Sequence, residues 1–244
     1  MRYAILGDIH SNLAALESVL EALEDEVIDQ ILQVGDVVGY GAAPAEVITA
    51  LRDRDAIVVK GNHDAACVGE LDTRLFNANA KAAVDYTRER LSREDLQWLA
   101  DLPLVHGTDH CVVAHGTLPD PDRFEYIQST AEADPSLDAL DRPVAFLGHT
   151  HVPVTIMRLI ESPGRTSYTI DHEVNLEETT VALVNVGSVG QPRDEDCRAA
   201  FAIYDTATQR VELRRIDYDI EREADRIVRA GLPKMLADRL FLGI

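Results

Sequence analysis

The sequence is poor in cysteine and contains no long apolar run. Its three cysteines, Cys67, Cys111 and Cys197, are too scattered for a disulfide framework or a cysteine-ligated metal, and none stands in a recognisable nucleophile motif. No segment approaches the ~20 apolar residues of a membrane helix. Residues 3–6 form a strand-like run where a secretory signal would begin. We therefore expect a cytoplasmic protein with free thiols and no membrane partner.

Positive charge is also scarce. The chain has 23 basic residues against 43 acidic ones, a net charge of -20, and its only lysines are Lys60, Lys81 and Lys234. Such a surface repels phosphate backbones, so long nucleic acid is not an expected partner. It stays soluble where salt screens self-repulsion. We favour a salt-rich cytoplasm because scarce lysine accompanies abundant aspartate, while an ordinary acidic cytosolic protein is the alternative.

The remaining composition fits one globular domain over residues 1–244, since 46% of the residues are hydrophobic. Strand-like runs alternate with helical periodicity in the first half, which is typical of an α/β fold. The C-terminal part is rich in strands, which we expect to form the second sheet of a sandwich. Residues 65–102 are predicted to be a helical insertion flanking the site, although a purely structural helical pair is also consistent. Residues 118–142 are predicted to be a long loop or loose helical cap over the site.

Five short polar loops each follow a strand-like run. The carboxyl ends of such strands meet at one edge if the strands share a sheet. Aspartate, asparagine and histidine side chains would then surround a space that Asp36 could bridge, which is a ligand set for two metal ions. The loops are Gly7-Asp8-Ile9-His10, Gly35-Asp36, Gly61-Asn62-His63-Asp64, His115-Gly116 and Gly148-His149-Thr150-His151.

These loops carry the sequences GDIH, GDVVGYG, GNHD, AHG and GHTH, in this order. They resemble the five sequence blocks of the calcineurin-like metallophosphoesterases. The resemblance implies a four-layer α/β/β/α sandwich and a phosphoesterase that uses a hydroxide between two metal ions instead of a protein nucleophile. It implies that Asp36 is shared by both ions. Asp8, His10 and His151 would complete the first set of ligands, and Asn62, His115 and His149 the second.

Oxygen and imidazole ligands suit Mn, Fe, Co, Ni or Zn, and the sequence does not choose among these divalent ions. His63 is not needed to complete either set of ligands. It would lie beside the ions, near the leaving group, as a candidate general acid. The alternative is a hydrogen-bonded residue that supports a ligand.

The second block departs from the protein-phosphatase branch of the resembled family. That branch has Asp-Arg-Gly where this chain has Gly39-Tyr40-Gly41. The arginine is a phosphate clamp and the carboxylate orients the histidine of the third block, so both losses argue against a Ser/Thr protein phosphatase. Tyr40 is a candidate substrate contact through its hydroxyl or ring, or a packed aromatic in the turn.

Residues 185–194 form a glycine-rich turn with three interpretations. Its backbone amides could approach a phosphate, Arg193 could bind one, or the segment could simply cross between sheets. The crossing is slightly favoured, and Arg193 stays a candidate substrate contact.

Together these features predict hydrolysis of small phosphate esters, with phosphodiesters favoured. Asn62 and Tyr40 would also face the substrate. The alternatives are a nucleotide or dinucleoside-polyphosphate hydrolase, a phosphomonoesterase, or a non-catalytic metal-binding scaffold. Whether the chain forms a homo-oligomer is left open.

The charge of -20 leads to a prediction about stability. We expect the melting temperature to rise steeply as KCl increases from dilute buffer to about 1 M, mostly within the first few tenths molar, because the Debye length falls to ~3 Å at 1 M. Thermal unfolding followed by circular dichroism measures this change, and a glycerol series of equal osmolality is the control. A flat curve would remove the case for a salt-rich source.

Overall fold

The computed structural model describes residues 1–244, with the side chain of Leu75 left out of the description. Twelve strands form two six-stranded mixed sheets. In spatial order, the first sheet contains β3 (Ile57–Val58), β2 (Gln30–Gln33), β1 (Arg2–Leu6), β11 (Ala199–Asp205), β12 (Arg210–Ile216) and β9 (Glu173–Asn175). The second contains β4 (Val105–Gly107), β5 (Val112–Ala114), β6 (Val144–Leu147), β10 (Thr179–Asn185), β7 (Val154–Leu159) and β8 (Ser162–Thr169).

The α-helices are distributed along the whole chain. They are α1 (Leu13–Glu24), α2 (Pro44–Arg52), α3 (Asn62–Val68), α4 (Ala78–Arg90), α5 (Arg93–Ala100), α6 (Thr130–Ala139), α7 (Ile220–Arg229) and α8 (Lys234–Asp238). Short 3₁₀ turns occur at Thr73–Leu75, Pro121–Arg123, Leu176–Glu178 and Arg239–Phe241. Within the described part of the chain, no helix has both the length and the apolar character needed to cross a membrane.

Alternating side chains build the four layers. Along β1, Tyr3 and Ile5 face the second sheet, while Ala4 and Leu6 face α1 and α2, because successive strand residues point to opposite faces. In β6, Phe146 fills the core between the sheets, and its neighbours Ala145 and Leu147 pack with α6 on the outside. The observed order is therefore helix, sheet, sheet, helix, and the predicted α/β/β/α sandwich is confirmed.

A single sheet for the five polar-loop strands, considered above only as a condition, is not observed, and the expected composition of the second sheet is wrong. The five strands that carry the polar loops do not share one sheet, because β1, β2 and β3 belong to the first and β5 and β6 to the second. The C-terminal strands do not all join the second sheet either, because β11 pairs with β1 and β12 pairs with β11. Hydrophobic alternation identifies a strand and its buried face, but it does not specify the neighbouring strand, since either sheet buries such a face equally well.

The helices of residues 77–100 begin where their capping residues predict. Asn77 caps α4 through Ala80 N, and Ser92 and Asp95 form the capping box of α5. Residues 118–129 form a loop that contributes side chains to the cleft described below, and residues 130–139 form α6 on the second sheet. The loop and the helical cap are thus two separate parts of the predicted segment.

Candidate metal centre

The five polar loops meet at one end of the sandwich even though they come from two sheets. The amide of His149 donates to both carboxylate oxygens of Asp8, at 3.1 and 3.0 Å. The amide of Gly148 donates to the carbonyl of His115 at 3.1 Å, which joins the loops after β5 and β6. The bonds between His149 and Asp8 fasten the second sheet to the first at the site, and the bond between Gly148 and His115 fixes two loops of the second sheet to each other.

Several of the predicted ligands adopt an uncommon backbone conformation. A positive φ is rare in residues other than glycine and concentrates at functional sites. Five of the seven predicted ligands have it: Asp8, His10, Asp36, His149 and His151, with φ between 48° and 69°. The loop backbone is therefore bent so that these side chains turn inward from the strand ends.

Backbone carbonyls orient three of the histidine rings. Nδ1 of His10 lies 3.0 Å from the Val38 carbonyl, Nδ1 of His115 lies 2.9 Å from that of Val34, and Nδ1 of His151 lies 2.6 Å from that of Gln191. A ring that donates from Nδ1 presents the lone pair of Nε2 on its other side. All three rings thus offer Nε2 to the interior of the site.

The Nε2 atoms of His10 and His151 face each other at 3.1 Å. When both rings donate from Nδ1, this contact brings two lone pairs together, which is unfavourable unless a proton or cation lies beside them. Nε2 of His149 is buried and has no hydrogen-bond partner among the described residues. These nitrogens have the arrangement expected of metal ligands.

Asp36 lies between the two groups of histidines. The backbone amide of His63 donates to its Oδ1 at 2.8 Å. This bond leaves Oδ2 free, at 3.6 Å from Nε2 of His10 and 3.4 Å from Nε2 of His115. One oxygen is therefore anchored, and the other is placed where two ions could share it.

The remaining oxygen ligands complete the two sets. Asp8 Oδ1 lies 3.3 Å from Nε2 of His151, and Asn62 Oδ1 lies 3.0 Å from Nε2 of His115. Asp8, His10 and His151 form one cluster with ligand atoms within 4.8 Å of one another, and Asp36, His115 and His149 form a second. The structure thus brings together all seven residues of the predicted ligand set.

The protonation of the site also suits metal binding. Burial lowers the pKa of His149 to about 3 and holds the pKa values of His10 and His151 well below their usual range. These rings are neutral at neutral pH, as ligands must be. Burial also acts against a charge on His115, but Asp36 outweighs it and raises the pKa of His115 to about 9. An ion bound there must displace that proton.

His63 lies beside the ligands and is positioned by aromatic packing. Its ring centroid is 4.4 Å from that of Tyr40 and 5.1 Å from that of Phe76. Its Nδ1 is buried without a hydrogen-bond partner among the described residues. A Cβ on Gly39, whose φ is +96°, would lie 2.4 Å from this nitrogen, so a glycine is required for the close approach. Ring packing therefore stands where the protein-phosphatase branch has a carboxylate.

His63 is also close enough to His10 and Asp36 to form a third ligand cluster with them. The sequence predicts that His63 lies beside the ions and is not a ligand. The geometry is consistent with either role. Burial lowers the pKa of His63, so its ring is neutral at neutral pH.

A cleft of about 390 Å³ opens over the metal centre. Tyr40 and Arg193, both predicted substrate contacts, line it together with Asn62 and His63. The guanidinium of Arg193 lies 5.7 Å from the Tyr40 ring centroid and donates to Oε1 of Gln191 at 2.8 Å. It has no carboxylate within salt-bridge distance among the described side chains, and its Nε is buried without a partner.

The glycine-rich turn of residues 185–194 has a mainly structural role. It crosses from β10 in the second sheet to β11 in the first. The amides of Gly187 and Gly190 donate to Asn185 Oδ1 and to the carbonyl of Asp8, so neither is available to a phosphate. The interpretation that these amides bind phosphate is wrong, whereas the sheet crossing and the placement of Arg193 in the cleft are both observed.

Among the cleft residues that the sequence did not identify are three side chains of one loop, Arg123, Phe124 and Tyr126. They belong to the loop predicted to cover the site, but no motif distinguishes them from other loop residues. The Tyr126 ring stacks on His149 with centroids 3.8 Å apart and an interplanar angle of 11°. Positive φ angles at Asp120 and Phe124 bend the loop toward the cleft.

The fold, the ordered polar loops and the paired ligand clusters define a phosphoesterase-type hydrolase with a candidate divalent-metal centre. The chain belongs to the calcineurin-like phosphoesterase superfamily, whose domain model matches residues 1–209. The predicted family resemblance is thereby confirmed, and members of this family depend on divalent metals.

Similar proteins span the whole chain. A metallophosphoesterase from Sphaerobacter thermophilus is 36% identical, with a TM-score of 0.87 and complete coverage of both chains. An uncharacterized protein from Methanocaldococcus jannaschii is 34% identical over 244 residues, which covers 98% of this chain and 97% of the relative. A hypothetical protein from Pyrococcus horikoshii shares the fold at 23% identity, with a TM-score of 0.80, covering 100% of this chain and 98% of that one.

A more local similarity links the chain to a named hydrolase. The symmetrical bis(5'-nucleosyl)-tetraphosphatase of Methylobacillus flagellatus is 32% identical over 123 residues. The match covers 48% of this chain and 43% of that protein.

The position of Asp36 leads to a prediction about metal content. We expect near two divalent ions per chain in the wild type, and Asp36→Asn should lower both metal content and activity more than changes at Asp8 or Asn62, because only Asp36 faces both clusters. Its activity loss should exceed the 10–100-fold typical of groups that merely support a ligand. Elemental analysis after dialysis against Mn²⁺ measures the stoichiometry.

The matched control is Asp72→Asn, which removes a carboxylate from the same cleft but outside the ligand set. Metal content should be unchanged in this variant. A fully active protein without bound metal would contradict the assignment.

Proposed function

We propose that the chain is a dinuclear metal-dependent phosphoesterase that hydrolyses small phosphate esters, with phosphodiesters preferred. One observation carries the proposal: Asp36 Oδ2 lies within 3.6 Å of inward-facing histidine nitrogens of both ligand clusters. A carboxylate oxygen shared by both clusters favours a site for two neighbouring ions over a site for one.

The residues divide into two sets with one common member. We assign Asp8, His10 and His151 to the first ion, and Asn62, His115 and His149 to the second, with Asp36 shared. When bound, the ions supply Lewis-acid polarisation of a phosphoryl oxygen and a hydroxide at neutral pH. The mixed oxygen and nitrogen donors suit Mn, Fe, Co, Ni or Zn, and Mn²⁺ is our first choice for assay.

The charge of the cleft supports a diester. Arg193 is the arginine that lines the cleft beside Tyr40 and the ligands, whereas Arg123 is an exposed residue at the rim with Glu125 3.6 Å away. Arg239 also interacts with Tyr40, but it is not among the residues that line the cleft. A phosphodiester carries a single negative charge, which one guanidinium complements. A monoester dianion would benefit from the second clamp that is missing after Asp36.

Arg193 is poorly explained as a structural residue. It is a positive charge near His63 and His151, and it lowers the pKa of both, after burial itself. Arg193 has no carboxylate partner in the part of the chain that the structure describes, and it lies beside a site for metal cations. This position is electrostatically unfavourable until an anion binds. We therefore assign it to the phosphoryl oxygens of the substrate.

A dinucleoside-polyphosphate or nucleotide hydrolase is the second candidate. The local similarity to a bis(5'-nucleosyl)-tetraphosphatase favours it, as do the aromatic side chains that line the cleft. The net charge of -20 leads us to propose, in addition, that long nucleic acid is not a substrate. The three free cysteines lead us to propose that the protein acts in the cytoplasm.

Substrate charge provides the test of this function. With p-nitrophenolate as the leaving group throughout, we expect a higher kcat/KM for alkyl p-nitrophenyl diesters than for p-nitrophenyl phosphate. Arg193→Ala should lower the diester value by about 10-fold or more, since charge-assisted hydrogen bonds contribute ~1.5–3 kcal/mol. Arg165→Ala, a change of an exposed arginine on β8, is the matched control.

A clear preference for the monoester would contradict the proposed diester preference and would favour a phosphomonoesterase. Metal-loaded protein without turnover of any ester or nucleotide would indicate a non-catalytic scaffold.

His63 is proposed as the proton donor to the leaving group. An approaching phosphate raises the pKa of a neighbouring imidazole, which compensates for its burial. We expect His63→Ala to keep both metals and to lose about 10²–10⁴-fold in kcat for an alkyl leaving group, but much less for nitrophenolate, which needs no proton. Comparing kcat for the two leaving groups measures this.

The exposed His172 provides the control, since His172→Ala should change neither rate. Equal losses for both leaving groups would make His63 a residue that positions the substrate.

A further inference from the structure

Tyr126 is a half-exposed aromatic residue in the mouth of the cleft, with 48% of its surface accessible. One face of its ring is parallel to the His149 imidazole at 3.8 Å. Stacking uses only one face of a ring, so the exposed remainder is available to another planar group.

The aromatic side chains of the cleft form two groups, beside different parts of the metal centre. Tyr40 and Phe76 surround His63, next to His10. Phe124 and Tyr126 contact the other ligands, His115 and His149. Among the described residues, no ring contact joins Tyr126 to His63. Tyr40 and Tyr126 both lie close to the Arg193 guanidinium. The cleft therefore offers two aromatic groups next to the cation assigned to the phosphate, one beside His63 and the other beside His149.

A diester has two organic arms, and these surfaces match them. His63 is assigned to the leaving group, so the leaving arm extends toward Tyr40 and Phe76. The retained arm must leave the phosphorus in another direction, and the other aromatic surface is the one at Tyr126. A monoester has no second arm to place there.

We propose that the Tyr126 ring is a platform that binds a planar aromatic group, a nucleobase or an aryl ring, on the retained arm of the diester. This inference rests on the proposed function and identifies the substrate class of the same site. Base–aromatic stacking tolerates any base because every base has a π face. The platform would therefore select aromatic over aliphatic esters without selecting one base.

Three diesters with the same leaving group test the proposal: the p-nitrophenyl esters of thymidine 5'-phosphate, phenyl phosphate and ethyl phosphate. The leaving group is the same in all three, so a change in their kcat/KM ratios between the wild type and a variant reports the retained arm. We expect the thymidine ester to exceed the ethyl ester in the wild type, and Tyr126→Leu to reduce that ratio by about 10-fold, within the range for loss of one base stack.

Leucine is chosen because it still covers His149 but has no π face. Tyr126→Phe should preserve the ratio, and Tyr168→Ala, which removes an exposed tyrosine from β8, should leave it unchanged. Elemental analysis checks that Tyr126→Leu keeps its metal, and a partial loss of metal would lower all three rates without changing their ratio.

The result that overturns the proposal is an unchanged thymidine-to-ethyl ratio in Tyr126→Leu. If the phenyl ester shares the loss, the platform accepts any aromatic group, and if the loss is confined to thymidine, the platform is specific for nucleobases.

A binding experiment separates this inference from the proposed function. Calorimetric titration of Mn²⁺-loaded protein with thymidine 5'-phosphate and with ethyl phosphate requires no turnover. Tyr126→Leu should weaken the nucleotide by about 10-fold relative to ethyl phosphate. This result would support the platform even if all three diesters prove inert, and equal affinities for the two ligands in the wild type would refute it.

Discussion

The metal centre depends on buried groups of one kind, hydrogen-bond acceptors, facing one another. Nε2 atoms of two histidines meet at 3.1 Å, and a carboxylate oxygen lies between two such rings. Burial makes this arrangement costly, because a buried acceptor without a donor loses the hydrogen bond that it makes in bulk water. The surrounding structure holds this arrangement in place. Backbone carbonyls accept from Nδ1 of the rings, and backbone amides donate to the carboxylates. The protein thus maintains a cluster of acceptors that is completed by a proton, as on His115, or by a bound metal ion.

Part of the free-energy cost of this arrangement is backbone strain. Five ligands have left-handed φ angles, each of which costs of order 1–3 kcal/mol in a residue other than glycine. Glycines adjoin them where a Cβ would collide with a ligand. A Cβ on Gly148, for example, would lie 2.3 Å from Asp8 Oδ2. The short motifs are therefore combinations of strained ligands and the glycines that make room for them.

Much of this was accessible from the sequence, for identifiable reasons. The order of the polar loops predicted the family, the sandwich and the grouping of all seven ligands, because each loop combines ligand chemistry with a strand end. The pairing of β11 with β1 was not predictable from alternation, which indicates a buried face but no neighbour. Tyr126 was missed because its role arises from a contact with His149, 23 positions further along the chain. The left-handed backbone of five of these ligands was not predicted, because aspartate and histidine carry no local signal comparable to that of glycine.

The crossing of residues 185–194 between the sheets has a mechanical consequence. Its carbonyl at Gln191 holds His151, which follows a strand of the second sheet, while its amide at Gly190 holds Asp8, which follows a strand of the first. The residues assigned to the first ion thus come from both sheets. An ion bound there would link the two sheets, and its binding energy would oppose any sliding of one sheet over the other.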